Sequence, residues 1–280
     1  MKVYSWGETD VGMKRDHNED SYLVVPDMDL FLVADGMGGH AGGEMASGIA
    51  VRTVEKYVRE REELIDPERE HSGAVKKSPV AKLLGDAIRE ACAAIYHKSI
   101  ELPELRGMGT TATGLVFHQK HAFIAHVGDS RAYVIRNGVP LQLSKDHSLV
   151  NEQLEAGLIT EAQARKSRFK NIITRSVGFD TDVDVDVIAV EHKLGDVFLL
   201  CSDGLTGLVT DPEIADIVCD NFLHRVPGLL IDLANSRGGD DNVTVVVAYL
   251  SDPKDVSWDE SIPPAESTIG GAAYGMNDDS

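Results

Sequence analysis

Two apolar runs in this chain end alike. Leu30-Phe31-Leu32-Val33-Ala34 leads into Asp35-Gly36, and Val197-Phe198-Leu199-Leu200-Cys201-Ser202 leads into Asp203-Gly204. Each reads as a buried strand that delivers a carboxylate at its end with a glycine behind it. The two lie far apart in sequence, yet buried strands of one core can bring their ends together. Converging carboxylates with no basic residue beside them are what a hard divalent cation requires, so the first expectation is a metal site.

The pattern recurs. Ala122–Val127 leads to Gly128-Asp129, Asp240-Asp241-Asn242 precedes the apolar Val243–Val247, and Asn18-Glu19-Asp20 precedes Ser21–Val25. A single Asp-Gly at a strand end is ordinarily a turn. Five acidic strand ends in one domain would repel one another without a cation between them. The glycines let main chain approach closely, so the Gly36 carbonyl is itself a candidate ligand. Carboxylates and carbonyls without His or Cys favour Mg²⁺ or Mn²⁺. Two such ions about 4 Å apart can share a water and lower its pKa. Such a pair suits phosphate-ester hydrolysis, whose uncatalysed rate is among the slowest known. Arg15, just before the Asn18-Glu19-Asp20 cluster, is a candidate phosphate holder, because a guanidinium can grip a phosphate through two parallel hydrogen bonds.

The rest of the chain is consistent with an ordinary globular protein. Its 280 residues suit one large domain or two small ones. A formal net charge of −19 argues against nucleic acid or an anionic membrane as partner. Cys92, Cys201 and Cys219 form no disulfide framework, which points to a reducing cytosol. The N-terminus lacks a signal-peptide pattern, and no apolar run approaches the ~18 residues of a membrane span. The expected location is therefore cytoplasmic.

Strands are expected near Val3–Trp6, Ser21–Val25, Leu30–Ala34, Thr111–Phe117, His121–His126, Arg131–Ile135, Val139–Leu143, Asp184–Val190, Asp196–Ser202 and Val243–Leu250. Asn137-Gly138 marks a hairpin turn. Helices are expected over Gly42–Val58, Val80–Ile100, Asp211–Cys219 and Val226–Asn235. Arg59–Ser78 reads as a charged, exposed excursion. Ser144–Gly178 reads as a polar helical insert lying as a flap over a sheet edge, with Thr160 and Gln163 forming a capping box. From Ser251 onward the acidic, Gly- and Pro-rich chain reads as a disordered tail. Many strands with helices in consecutive pairs suit a layered α+β fold with mainly antiparallel sheets.

Other chemistries fit less well. Cys219 and Arg225 have the spacing of a cysteine phosphatase, but the intervening residues lack glycines and include Asp220, so Cys219 is expected to pack as a small apolar residue. His126 and His147 are expected to be structural. The glycines from Gly36 to Gly43 lack the Lys-Ser/Thr of a nucleotide loop.

Eight segments, in order, resemble the motifs of the metal-dependent protein phosphatases, the protein phosphatase 2C family, and its bacterial branch above all. They are RDHNEDS (Arg15–Ser21), VADGMGGHAGGE (Val33–Glu44), GMGTTAT (Gly107–Thr113), AHVGDSRAY (Ala125–Tyr133), LSKDHSLV (Leu143–Val150), ITRSVG (Ile173–Gly178), CSDGLTGLV (Cys201–Val209) and GGDDNVTVVV (Gly238–Val247). The resemblance implies a four-layer sandwich of two antiparallel sheets between helix pairs. It implies a catalytic domain over residues 1–250, with the flap at about 144–178 and the acidic tail at 251–280. It implies hydrolysis of phosphoserine and phosphothreonine in proteins. Asp35 would bridge two ions, Gly36 would give its carbonyl to one, and Asp203 and Asp241 would hold the other. Asp129, with Asp203, matches a weaker third position. Glu19 and Asp20 would order metal-bound waters, and Arg15 would take the substrate phosphate. The implied partners are phosphoproteins, serine/threonine kinases among them, with no nucleic acid or membrane and a monomeric chain. Met37 stands where animal-type members carry a general-acid histidine, and His40 is a candidate in its place. The competing reading is an inactive phosphatase fold that only binds phosphoproteins; retention of every metal carboxylate speaks against it.

Overall fold

Apolar runs without alternation need cover on both faces, and that is how the long strands are used. In the computed structural model, which describes residues 1–66, 75, 78–165, 167–252 and 267–271 (with the side chains of His40 and Arg165 outside that description), two antiparallel sheets stack face to face. The first has the order β1 (Lys2–Asp10), β11 (Val243–Ser251), β10 (Val197–Cys201), β7 (Arg131–Arg136) and β8 (Val139–Gln142). The second has the order β12 (Thr268–Gly271), β2 (Asp20–Val25), β3 (Leu30–Met37), β5 (Ala112–His118), β6 (His121–Val127) and β9 (Asp186–Glu191), with β4 (Gly109–Thr110) paired to the end of β3.

Three apolar layers hold the stack. Phe31, Val33, Phe198, Leu200, Val246 and Ala248 meet between the sheets. Their neighbours in sequence, Leu30, Leu32 and Ala34, pack under α1 (His40–Arg59) and α2 (Pro79–Glu101). Val243, Val245 and Val247 pack under α6 (Asp211–Asp220) and α7 (Val226–Ser236). Each of the central strands β3, β10 and β11 thus divides its side chains by parity between two buried layers. The four-layer α+β architecture expected from the sequence is the one observed.

Local signals act where they were read. Asn137 and Gly138 both take positive φ, 53° and 77°, in the β7–β8 turn. Thr160 and Gln163 exchange main-chain and side-chain bonds at the start of α4 (Glu161–Arg165). The insert also carries α3 (Leu149–Glu155), capped by Ser148, and it is tied to the sandwich through the Thr110–Val177 bridge.

Two expectations are corrected. The acidic tail is not without structure: Thr268–Gly271 adds a strand to the edge of β2. Two glycines hide it from a propensity reading, and they are there for close approach. A Cβ on Gly270 would lie 2.1 Å from the Tyr22 ring, and one on Gly7 would lie 2.7 Å from its other side. Cys219 is exposed at the end of α6 rather than packed, whereas Cys201 is buried in the core as expected. Residues 67–74, 76–77, 253–266 and 272–280, on which parts of the excursion and tail expectations fall, lie outside the described residues. Among the described residues, no helix is long and apolar enough to cross a membrane.

Candidate active site

All the acidic strand ends reach one end of the sandwich. Pairing of β2 with β3 sets Asp20 opposite Asp35. Asp203 follows β10 at the start of the short helix α5 (Asp203–Thr206), and Asp241 immediately precedes Asn242 and β11.

Asp20 is fully buried. Its Oδ2 accepts from Ser202 Oγ at 2.8 Å and Thr244 Oγ1 at 2.6 Å, while Oδ1 has no partner. Burial, with Asp203 and Asp241 nearby, pushes its pKa up to about 7 against the pull of the two hydroxyls. Asp35 is fixed through its main chain. Its N–H donates to Thr111 Oγ1 at 2.9 Å, and its carbonyl accepts from Thr111 N and Thr110 Oγ1, each at 2.9 Å. Its carboxyl is held well above the usual range by burial first, then by Asp20, Asp203, Asp129 and Asp241. Asp203, within hydrogen-bond reach of Asp35, is raised by burial and then by Asp241. Asp129 is also raised well above the usual range, by burial and then by Asp203, and its Oδ1 is a second buried oxygen with no partner.

The glycine at 36 is required by close approach. Its N–H donates to Glu19 O at 3.1 Å, and a Cβ there would lie 2.1 Å from Gly43 O and 2.5 Å from Glu19 O. Gly43 likewise leaves room for the Glu19 carboxylate, since a Cβ would lie 1.8 Å from Glu19 Oε2. Asn242 ties this loop to β11: its Oδ1 accepts from Glu19 N at 2.8 Å, and its Nδ2 donates to Val11 O and His17 O. Arg15 Nη2 reaches Asp241 Oδ2 at the rim. Arg15, Asp129, Asp203 and Asp241 line a cleft of about 770 Å³ whose far wall includes Asn151 and Lys170 of the flap.

The structure therefore brings Arg15, Glu19, Asp20, Asp35, Gly36, Asp129, Asp203 and Asp241 to one cleft end. Among the described residues, no three His, Cys, Asp or Glu side chains form a ready cage around one point. Mg²⁺-like ions do not require one, because they keep several waters and take one or two carboxylates. Two orphaned carboxylate oxygens, mutual repulsion among five acids and an all-oxygen donor set fit such ions.

The sequence reading missed the supporting shell: Ser202 and Thr244 on Asp20, Thr111 on Asp35, and Asn242 on Glu19. Their signal was present, since each lies in a motif quoted above. The histidines take the structural places expected of them. His126 bonds Thr113 Oγ1 and Lys145 O, and His147 bonds Gly128 N. Met37 ends β3 opposite Gly109.

Fold and site together define a phosphatase architecture, and comparison with known proteins agrees. A family profile described as Protein phosphatase 2C matches residues 13–226. The chain is 38% identical over 243 residues to the serine/threonine phosphatase stp of Listeria monocytogenes, covering 85% of this chain and 92% of that one. The crystal structure of the serine/threonine phosphatase PstP/Ppp of Mycobacterium tuberculosis superposes with a TM-score of 0.79 at 32% identity, over 90% of this chain and 100% of that one. A PstP catalytic domain in complex with two manganese ions superposes with a TM-score of 0.76 at 33% identity, over 89% and 99%. The chain belongs to the protein phosphatase 2C family and is by class a serine/threonine phosphatase.

Proposed function

We propose that this protein hydrolyses phosphoserine and phosphothreonine in other proteins, using two tightly held Mn²⁺ or Mg²⁺ ions and a weaker third. The observation that carries this reading is the pair of buried, unpartnered oxygens, Asp20 Oδ1 and Asp129 Oδ1, among acids that raise one another's pKa. In this reading Asp35, the Gly36 carbonyl, Asp203 and Asp241 would hold the tight pair, and Asp129 with Asp203 would hold the third. When bound, the ions supply Lewis acidity and neutralise charge on the phosphoryl oxygens.

The chain's own residues do the rest. Arg15, exposed at the rim, takes the substrate phosphate and turns it toward the acids. Asp20, anchored by two hydroxyls, and Glu19, lying against Gly43, orient water in the site. Thr110 and Thr111 fix the main chain of Asp35, so its carboxylate does not swing when charge develops. The flap wall sets which protein segments reach the cleft.

The natural partners in this reading are phosphoproteins of a signalling pathway, serine/threonine kinases and their targets, in the cytoplasm. The chain acts as a monomer. The test is phosphate release from a phosphothreonine peptide with Mn²⁺ added and then chelated. Turnover that survives chelation, or none at all with Mn²⁺ present, overturns the proposal.

A further inference from the structure

His147 is buried in the flap's first segment, touches none of the acids assigned to cations above, and still makes four directed bonds. Its N–H donates to Gly128 O at 2.7 Å, and its ring Nδ1 accepts from Gly128 N at 3.0 Å. One residue thus takes both main-chain groups of Gly128, the residue before Asp129. The opposite side of that turn is closed by Thr111, which a Cβ on Gly128 would meet at 2.5 Å, and Gly128 is held at a φ of +111°. The peptide plane that launches Asp129 is therefore fixed from two sides.

The remaining bonds run the other way. Because Nδ1 accepts, the ring hydrogen sits on Nε2, which donates to Asp186 Oδ2 at 3.3 Å. Asp186 Oδ1 is held by Arg175 Nη1 at 2.6 Å, and the His147 carbonyl accepts from Thr174 N at 2.9 Å. Thr174 and Arg175 belong to the returning arm of the flap. A continuous set of hydrogen bonds thus joins Arg175, Asp186 and His147 to the main chain of Gly128, the residue that precedes Asp129.

We infer that His147 is a positioning residue that couples the flap to Asp129, so that seating of the flap sets the affinity of the weaker cation site. The inference rests on Asp129 serving that site. It assigns to the flap a role beyond walling the cleft. The bland alternative is that His147 merely packs against the His126 ring, 4.8 Å away between centroids.

Two substitutions separate these readings. In His147→Asn the amide oxygen takes the place of Nδ1 and keeps the Gly128 bond. In His147→Gln the amide nitrogen takes the place of Nε2 and keeps the Asp186 bond, so the side chain loses its bond to Gly128 N while both main-chain bonds remain. Mn²⁺ is titrated calorimetrically into the full chain, without substrate. His147→Gln should weaken the weaker site about tenfold and leave the tight pair within about twofold, while His147→Asn, which loses only the Asp186 bond, should weaken it about threefold. An unchanged weaker site in His147→Gln, or equal loss in both variants, overturns the inference in favour of packing. If either variant fails to melt cooperatively, Asp186→Asn replaces it; it should weaken the weaker site about threefold, and no change overturns the inference. Asp129→Ala is the control. If the weaker site survives it, the assignment of Asp129 fails, and the coupling built on it falls for that separate reason.

Discussion

Arg15 Nη2 donates to Asp241 Oδ2 at 2.7 Å, joining residues 226 positions apart in sequence. The two are proposed for different tasks, substrate phosphate and cation. Without ligands each is the other's nearest counter-charge. The pair is half open to water, with side-chain exposures of 49% and 29%, so its weight in folding is small. Arg15→Ala should lower kcat/KM for a phosphothreonine peptide by about 10- to 100-fold, mostly through KM, and shift stability by less than ~1 kcal/mol. Steady-state kinetics and a urea melt check both halves.

Asp35 sits at the centre of mutually repelling acids. Asp35→Asn should abolish turnover yet not harm folding. In chelator the variant should melt about 2–4 °C above the parent, as expected for roughly 1 kcal/mol of relieved repulsion in a domain of this size. Retained turnover would sink the bridging role, and a large loss of melting temperature would sink the repulsion argument.

Gly36→Ala tests the close approach of main chain at the same strand end. Its Cβ has no room beside Gly43 O and Glu19 O. Destabilisation of roughly 1–3 kcal/mol is expected, with activity lost at temperatures where the variant remains folded. A variant as stable as the parent would show that the Glu19 and Gly43 loops yield freely.

Asp29 lies away from the site, and burial pushes its carboxyl up to about 6. The unfolded chain releases this proton near pH 3.8 and the folded chain near 6, so the folded state binds more protons between those values. Its contribution to stability therefore falls as pH rises through that window and stays unfavourable above it. Asn tolerates the φ of 47° at this position. Asp29→Asn should gain about 1–3 kcal/mol at pH 7.5 and nothing near pH 4, measured by urea melts at both values.

His126 runs in the opposite sense. Burial, then His147, lowers its pKa to about 4. The unfolded chain takes up this proton near 6.5, so stability declines as pH falls from about 6.5 toward 4. An NMR titration should find this ring neutral at pH 5; a ring that titrates near 6.5 would contradict its buried placement.

How much could be read beforehand varied with the physics involved. Strands such as Leu30–Ala34 and Val243–Leu250 were legible because burial on two faces leaves an unbroken apolar run. The Asn137-Gly138 turn was legible because positive φ restricts residue type. The acids were legible through their repetition at strand ends. β12 was not, because its place depends on the room left beside Tyr22 rather than on its own propensity. Ser202, Thr244 and His147 were quoted within motifs, yet their tasks depend on which atoms of Asp20 and Gly128 face them, and that is settled by register between distant strands.

The first strand of the chain, β1, completes its sheet by pairing Asp10 with Val243 and Lys2 with Ser251. That pairing also draws in Asp241 and Asn242, which in turn hold Arg15 and Glu19. A ribosome must therefore finish nearly the whole domain before the cleft end can close. Such long-range pairing slows folding. It also means that nascent chains stopped before Asp241 lack the last acid of the cleft and its asparagine clasp, so the cleft end is assembled only after the closing strand of the domain has been made.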